Sequence, residues 1–444
     1  MNIKLYNSLT KKIDVFKPIR PGHVSMYVCG PTVYDYVHIG NLRPVVVFDV
    51  LRRFFIALGY QVTYVSNFTD IDDKIINRAL EEGITEKVLT EKYMAAFNDN
   101  VSAINSLLPD YAPKATEHIE NIIDFIGYLV KKDAAYVVDG EVFFRVASDP
   151  EYGILSNINH EDLMSGARVE ENGKKENPAD FLLWKKTEVG IKWNSPWGQG
   201  RPGWHTECVA MINAIFKTPL IDIHGGGFDL KFPHHENEIA QSQIYSGTHL
   251  ANYWLHNGFI NVDNQKMSKS LGNNISAKEI LTKYDGNIIR MLLVSSHYRS
   301  PVNFSEEALL ASKNDIDKLT RSLRQISVLL QEHSIVPQSD IVLLNPFYEA
   351  LADDLNTANG LTVIYELLST TNKTVRKPEI DFELLAKQYG SLMQMLSVLG
   401  LQISLPLLSE NDIQLLKEYK AAKKDKNFAR SDEIRILLQQ KNIL

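Results

Sequence analysis

Near the N-terminus, apolar positions gather into a short β-rich run, Val24 to Cys29, that breaks at Gly30-Pro31. A segment with apolar residues at helical spacing follows from Leu42 to Leu58, and then a second β-rich run, Gln61 to Phe68. That order predicts strand, helix and parallel strand, the βαβ unit of an α/β sheet. Helical periodicity prevails from about Asp72 to Lys132. Between 133 and 200 the pattern changes to strand-like pieces (YVVDGEVFF), a charged link (RVEENGKKENPAD) and a Gly/Pro/Trp-rich exit (WNSPWGQGRPGW), which predicts an insertion into the sheet. The α/β pattern resumes with LIDIHGGG (220–227), an apolar strand running into three glycines, and with a helix opening after Phe232-Pro233. After YWLHNGFINV (253–262) comes the Lys/Ser-rich loop QKMSKSLGN, and from Ser276 helical patterns run almost to the end. From Ser305 onward, amphipathic segments such as DIDKLTRSLRQISVLLQE predict an all-α appendage with no strand pairs. No repeat of fixed period interrupts this order.

Composition narrows the class. The chain has 444 residues, 44% of them apolar and 23% charged, an ordinary soluble balance that suits two to four domains. A net charge of −7 excludes a general polycation, so a basic surface must be local. Two cysteines far apart in the chain, Cys29 and Cys208, argue against a disulfide framework or a CxxC knuckle and for a reducing, cytoplasmic setting. No apolar run approaches the roughly 18 residues of a membrane helix, and the N-terminus lacks the apolar core of a signal peptide. No GxGxxG follows the first strand, which removes the generic NAD-binding oxidoreductase.

Two loops carry candidate phosphate chemistry. His38-Ile39-Gly40-Asn41 sits where a helix should begin, and a helix start offers unpaired N–H groups and partial positive charge to a phosphate. Gly40 would let a ligand approach the backbone, and His38 could donate to a phosphate oxygen; alternatively Asn41 is an N-cap and His38 a turn residue. Lys266-Met267-Ser268-Lys269-Ser270 sets two ammonium groups and two hydroxyls on a short loop ahead of Gly272, suited to closing over a triphosphate, although most Lys/Ser clusters are solvated surface.

HIGN and KMSKS together resemble the paired signatures of the class I aminoacyl-tRNA synthetases. Within that class the chain resembles the cysteinyl-tRNA synthetases, through CGPTVYDYVHIGNLR, SNFTDIDDK, RPGWHTECVAM, DIHGGGFDLKFPHHENEIAQS, KMSKSLGN and ADDLNT. The resemblance implies a Rossmann-like α/β catalytic domain in two halves (1–132 and 201–262) around a connective insertion (133–200). A KMSKS and stem-contact segment (263–304), a helical-bundle anticodon-binding domain (305–400) and a small tRNA-contacting helical region (401–444) would follow. It further implies ATP with Mg²⁺, L-cysteine and tRNA(Cys) as substrates, and a monomer. His38, Asn41, Lys266 and Lys269 would act on the phosphates; Gly40, Gly226, Gly227, Asp229, Met267 and Ser268 would line the nucleotide site, with Gly225 opening the glycine run.

The same resemblance assigns one Zn²⁺ per chain to Cys29, Cys208, His234 and Glu238. The residues are compatible with it, since His234 and Glu238 are four apart on one helical face and thiolate, imidazole and carboxylate are all zinc ligands; buried free thiols are the plain alternative. A hydrophobic pocket separates cysteine from serine or alanine by only about 1–3 kcal/mol, whereas a zinc–sulfur bond is far more selective. Cys29, Gly30, Thr69, Trp204 and His224 would form the cysteine pocket, and His235 is expected to be solvated or capping. Asn41 departs from the wider class, which prefers a second histidine there.

Lys417 to Arg435 carries seven Lys/Arg against four Asp/Glu, a local basic excess suited to an RNA backbone, with Phe428 available to stack on a base. The chain ends at KNIL (441–444), where many relatives continue with a Gly/Thr/Trp-rich tail, so contacts made by that tail are expected to be missing or replaced. Two rivals share parts of the pattern. One is a cysteine:amino-sugar ligase of mycothiol-type synthesis, which lacks a full anticodon region; the other is a catalytically silent paralogue that senses cysteine or ATP.

Overall fold

A computed structural model describes residues 1–158, 173–267 and 273–444. They fall into two compact units, one of residues 2–284 with 298–303, the other of 285–297 with 304–444.

The first unit begins with an antiparallel hairpin, β1 (Lys4–Asn7) and β2 (Lys12–Val15), which the apolar pattern did not predict. Four-residue strands are too short to establish an alternation. Then come β3 (His23–Val28), α1 (Ile39–Ala57), β4 (Gln61–Ser66), α2 (Asp73–Glu82), α3 (Glu86–Ala103) and α4 (Ile119–Lys131). The insertion is built from β5 (Ala135–Val138), β6 (Glu141–Phe144), β7 (Phe181–Lys186), β8 (Trp193–Ser195) and β9 (Gly198–Pro202). They form an antiparallel sheet in the order β5-β6-β7-β9-β8, with Trp184 fully buried beneath it. The chain returns through α5 (Trp204–Phe216), β10 (Ile221–Gly227), α6 (His234–Ser246), β11 (Ala251–Asn257), β12 (Ile260–Val262), β13 (Gln265–Lys266) and α7 (Ala277–Lys283).

The central sheet has the order β11-β10-β3-β4, and every pair in it is parallel. Parallel strands covered by helices on both faces read as continuous apolar runs, which is why Val24, Met26, Tyr27 and Val28 are all buried. From β3 the chain crosses through α1 to β4 on one side; from β10 it crosses through α6 to β11 on the other. The order therefore reverses between β3 and β10, and a crevice opens beyond their C-terminal ends, where ligands bind in such sheets. The N-terminal hairpin covers the β11 edge: Asn7 Nδ2 donates to Asn252 O at 2.9 Å and Asn7 Oδ1 accepts from Trp254 N at 3.0 Å.

The second unit is helical, with α8 (Gly286–Val294), then, after β14 (Val302–Phe304), α9 (Glu306–Glu332), α10 (Ile341–Ala352), α11 (Thr357–Val375), α12 (Phe382–Leu399), α13 (Glu410–Lys424) and α14 (Phe428–Gln440). The long α9 buries Leu319, Leu323, Ile326 and Leu330, the i, i+4, i+7, i+11 positions of one face. Val328 of α9 packs with Leu416, Ile434 and Leu438 of the terminal α13–α14 hairpin. Among the described residues no strand occurs after Phe304, and no helix is long and apolar enough to cross a membrane.

Candidate functional site

The crevice is a cleft of about 500 Å³ bounded by the loop after β3, the start of α1, Trp204, Gly227, Asp229 and Met267. His38 is the N-cap of α1 in extended conformation, and Asn41 reaches back so that its Oδ1 accepts the His38 backbone N–H at 3.1 Å. Asn41 thus caps the helix from inside its first turn and lines the cleft. A side chain at Gly40 would strike the His38 ring at 2.8 Å and Met267 Cε at 2.8 Å, so glycine is what lets the ring fold over the helix start. Ile39 N donates to Ile275 O at 3.0 Å and Ala277 N to Val37 O at 3.0 Å, which ties this helix start to the chain beyond the Lys/Ser loop.

Of that loop, Lys266 ends β13 and Met267 lines the cleft, while Ser268, Lys269, Ser270 and Gly272 lie outside the described residues. Gly227 and Asp229 line the cleft. Gly225 and Gly226 face inward instead, where a Cβ would meet Phe48 at 2.2 Å and His235 at 3.0 Å.

Below the cleft, four donor atoms converge. Cys29, one residue past β3, brings its Sγ to 3.7 Å from Cys208 Sγ on α5. Cys208 Sγ is 3.7 Å from His234 Nε2, which is 2.9 Å from Glu238 Oε1, and that oxygen is 3.7 Å from Cys29 Sγ. The i,i+4 spacing on α6 presents His234 and Glu238 together, while the sheet order brings Cys29 against them. Two sulfurs held tetrahedrally at the zinc–sulfur bond length of about 2.3 Å stand about 3.8 Å apart, so the observed 3.7 Å separation fits that ion. Cys29 also belongs with His224, His235 and Glu238 to an overlapping group of close donors. That second group contains one thiol only, and His235 Nδ1 is already engaged with His256 Nε2 at 2.8 Å.

Electrostatics make the pocket dependent on its own pairing. Burial, then the neighbouring Cys208 and Glu238, push the Cys29 thiol up, while the bond from Cys29 and the approach of His234 bring Cys208 down to about 7 despite burial. Burial opposes the charge on both His234 and Glu238, but Glu238 holds His234 up at about 10, and His224 and His234 hold Glu238 well below the carboxylate range. These buried groups share protons that a divalent cation would displace.

The remaining expected residues surround this cluster. Trp204 is 38% exposed and stacks on His234 at 4.2 Å, forming a wall between cleft and cluster. His224 is fully buried, stacked on Trp254 at 4.3 Å, with Nε2 2.8 Å from Glu238 Oε2. Among the described residues, neither of those two atoms has an aligned hydrogen-bond partner. Thr69 is 1% exposed and donates its hydroxyl to Glu207 Oε2 at 3.1 Å. Gly30 lines the cleft and donates its N–H to Asn67 Oδ1 at 2.9 Å.

His235 corrects an expectation. It is fully buried, not solvated, and passes a hydrogen-bond chain through His256 to Ser8 Oγ, 2.8 Å from His256 Nδ1. Burial first, then His224, lowers His235, and burial lowers His256 to about 3, so this chain is neutral. His205, Glu207 and Glu236 were also missed. Glu207 is fully buried, which pushes its carboxyl well above the usual range, and Glu236 accepts the N–H groups of Gly153 at 3.0 Å and Ser156 at 2.6 Å. The available signal was helical spacing: His205 lies three residues before Cys208, and Glu236 falls between two of the four donors.

A crevice at the reversal of a parallel sheet, entered by a helix start bearing HIGN, belongs to the class I synthetase catalytic architecture. Residues 15–314 match the family described as "tRNA synthetases class I (C) catalytic domain", and residues 346–404 match the DALR domain. Among solved structures the chain resembles Mycobacterium tuberculosis methionyl-tRNA synthetase with TM-score 0.60 at 16% identity, covering 85% of this chain and 89% of that one. It resembles a putative arginyl-tRNA synthetase from Campylobacter jejuni with TM-score 0.59 at 12% identity, covering 86% and 93%. At those identities the likeness is one of fold.

Sequence relatives are much nearer. The chain is 44% identical to a cysteine–tRNA ligase of Brevibacillus brevis over 100% of its own length and 97% of the relative's. It is 46% identical to one from Finegoldia magna over 98% and 95%, and 45% identical to one from Staphylococcus aureus strain JH9 over 100% and 97%. The chain belongs to the cysteine–tRNA ligase family of class I aminoacyl-tRNA synthetases.

Proposed function

We propose that the chain activates L-cysteine with MgATP and transfers it to tRNA(Cys). The carboxylate of cysteine attacks the α-phosphorus of ATP, pyrophosphate leaves, and the resulting cysteinyl-adenylate acylates the terminal adenosine of the tRNA, releasing AMP. The observation that carries this reading is the convergence of Cys29, Cys208, His234 and Glu238 directly beneath a cleft that begins at His38.

Those four residues would hold one Zn²⁺, through Cys29 Sγ, Cys208 Sγ, His234 Nε2 and Glu238 Oε1. A bound zinc supplies a thiol-selective Lewis acid, for which a serine hydroxyl is a poor ligand and alanine none. Trp204 would close the pocket over the substrate, with Gly30, Thr69 and His224 shaping its walls. The His38 ring and the first turn of α1 would stabilise charge on the phosphates, joined by Asn41, Lys266 and Lys269. Gly40, Gly227, Asp229, Met267 and Ser268 would contact the nucleotide, with Gly226 packed behind them against His235. The chemistry is then positioning and charge stabilisation, with no covalent enzyme intermediate. The helical unit would bind the tRNA, with Phe428 and basic residues of α13–α14 against RNA, and the enzyme would act as a cytosolic monomer.

The test is cysteine-dependent exchange of labelled pyrophosphate into ATP, with zinc determined on the same sample and charging of tRNA(Cys). One zinc per chain, exchange with cysteine but not serine, and charged tRNA are expected. Cys208→Ala should lose zinc and exchange together; a zinc-free variant that still activates cysteine refutes the pocket assignment.

A further inference from the structure

The ring of His234 is held on more sides than its place among the four donors requires. Its face lies against Trp204, with ring centroids 4.2 Å apart and planes 19° from parallel. Its Nε2 points at Cys208 Sγ (3.7 Å) and Glu238 Oε1 (2.9 Å). Its other nitrogen, Nδ1, stands 3.0 Å from Nδ1 of His205. His205 is itself fixed: its ring meets the edge of Phe181 at 5.7 Å and 76°, and its carbonyl accepts from Gln241 Nε2 at 2.8 Å. Gln241 also donates to Asn237 O at 2.9 Å, so one side chain fastens α5, which carries His205 and Cys208, to α6, which carries His234 and Glu238.

Two nitrogens 3.0 Å apart share a single proton. If Nε2 of His234 is to present a lone pair to a cation among the thiols, the proton of the neutral ring sits on Nδ1 and is donated outward, and the receiving atom must offer a lone pair. We propose that His205 is a positioning residue that accepts the Nδ1–H of His234 and thereby fixes the Nε2-ligating tautomer and ring orientation of that metal ligand. The inference rests on the proposed metal site. Metal-bound histidines commonly donate their second N–H to a carboxylate or a carbonyl. Here two thiolates and Glu238 already outweigh the charge of a divalent cation. A carboxylate in the outer position would add to that excess, whereas an imidazole accepts the bond without adding charge.

The test compares zinc affinity, measured by competition with a chromophoric chelator, in the wild-type full chain and three variants. His205→Asn places a carbonyl oxygen at the same bond distance from Cβ as the lost Nδ1. His205→Gln places it one bond further, where Nε2 was, and His205→Phe keeps the ring and its packing on Phe181 without an acceptor. The inference requires zinc binding about 10–100-fold weaker in the Phe and Gln variants and within about threefold of wild type in the Asn variant. If the Phe variant binds as tightly as wild type, or the Asn variant as weakly as the Phe variant, the acceptor role is refuted. The Asn and Gln variants alone decide the matter should the Phe variant fail to fold. Wild-type chain that takes up no zinc overturns the metal site itself; wild-type chain that binds zinc while all variants match it overturns only the role of His205.

Discussion

Glu236 offers a quantitative test of what holds the start of α6 in place. Its carboxylate is fully buried and accepts three backbone N–H groups from the loop after β6: Gly153 at 3.0 Å and Leu155 at 3.3 Å on Oε1, and Ser156 at 2.6 Å on Oε2. Glu236→Gln keeps the shape and removes the charge. Whichever way the amide turns, its NH₂ faces an N–H and one side of the clasp becomes donor against donor. A buried donor left unpaired costs about 1–3 kcal/mol, and each surviving bond loses its charge assistance, about 1 kcal/mol apiece. The sum is about 4 kcal/mol, or about a thousandfold in the equilibrium for opening the loop. Hydrogen exchange over a peptide spanning 150–157 should show that loss of protection, or exchange at the unprotected rate if that limit is reached first. Amides of α12 in the other unit serve as the control and should be unchanged. Protection of the 150–157 peptide within tenfold of wild type would refute the argument.

Gly30→Ala would place a methyl 1.7 Å from the Asn67 carbonyl oxygen, so the chain after β3 and after β4 must part at the edge of the cleft. A loss of about 3 kcal/mol and of cysteine-dependent exchange is expected, and an unaltered melting temperature contradicts it. In the terminal hairpin, Lys441 at 2.6 Å and then Ser409 hold the Asp412 carboxyl down at about 2. The folded value lies below the unfolded one, so the stabilisation is complete above the ordinary carboxylate range and is lost as pH falls from about 4 to about 2. Lys441→Met should lower the melting temperature at neutral pH and flatten its acid dependence, and identical acid profiles would count against the pair. Phe428 is 68% exposed at the start of α14, and Phe428→Ala should slow tRNA charging by about 5–100-fold while leaving pyrophosphate exchange unchanged. An equal fall in both activities would assign that residue to folding instead.

The elements that could be read from local pattern are those whose burial is set by their own periodicity. The run from Val24 to Cys29, the helix after His38 and the amphipathic face of α9 each declare themselves because their apolar residues repeat at the strand or helix period. The α1 boundary came three residues earlier than its first apolar position suggested, since Ile39 to Asn41 join the helix through the reciprocal bond between Asn41 and His38. The β1–β2 hairpin escaped notice because its stability comes from Asn7 and Ser8 bonding to the β11 edge, far away in the chain. His235 was misjudged for the same reason. Its acidic neighbour Glu236 marks an exposed helix face in most sequences, but here both side chains are consumed by buried partners, His256 and the loop at Gly153 to Ser156.

Sequence alone determined the chemistry available: which residue types occur, which of them lie one helical turn apart, and, through the ordered motifs around Cys29, Cys208, His234 and Glu238, which family they belong to. Tertiary structure alone decided the distances that give this chemistry a direction. The 3.7 Å between two thiols from remote segments, the 3.0 Å between two imidazoles on different helices and the clasp of Glu236 on the insertion all follow from packing between elements. The physical reason is range. Periodicity and capping act over a few residues, whereas the order of strands in a sheet is set by which apolar faces must be covered together, and it is that order that closes the pocket.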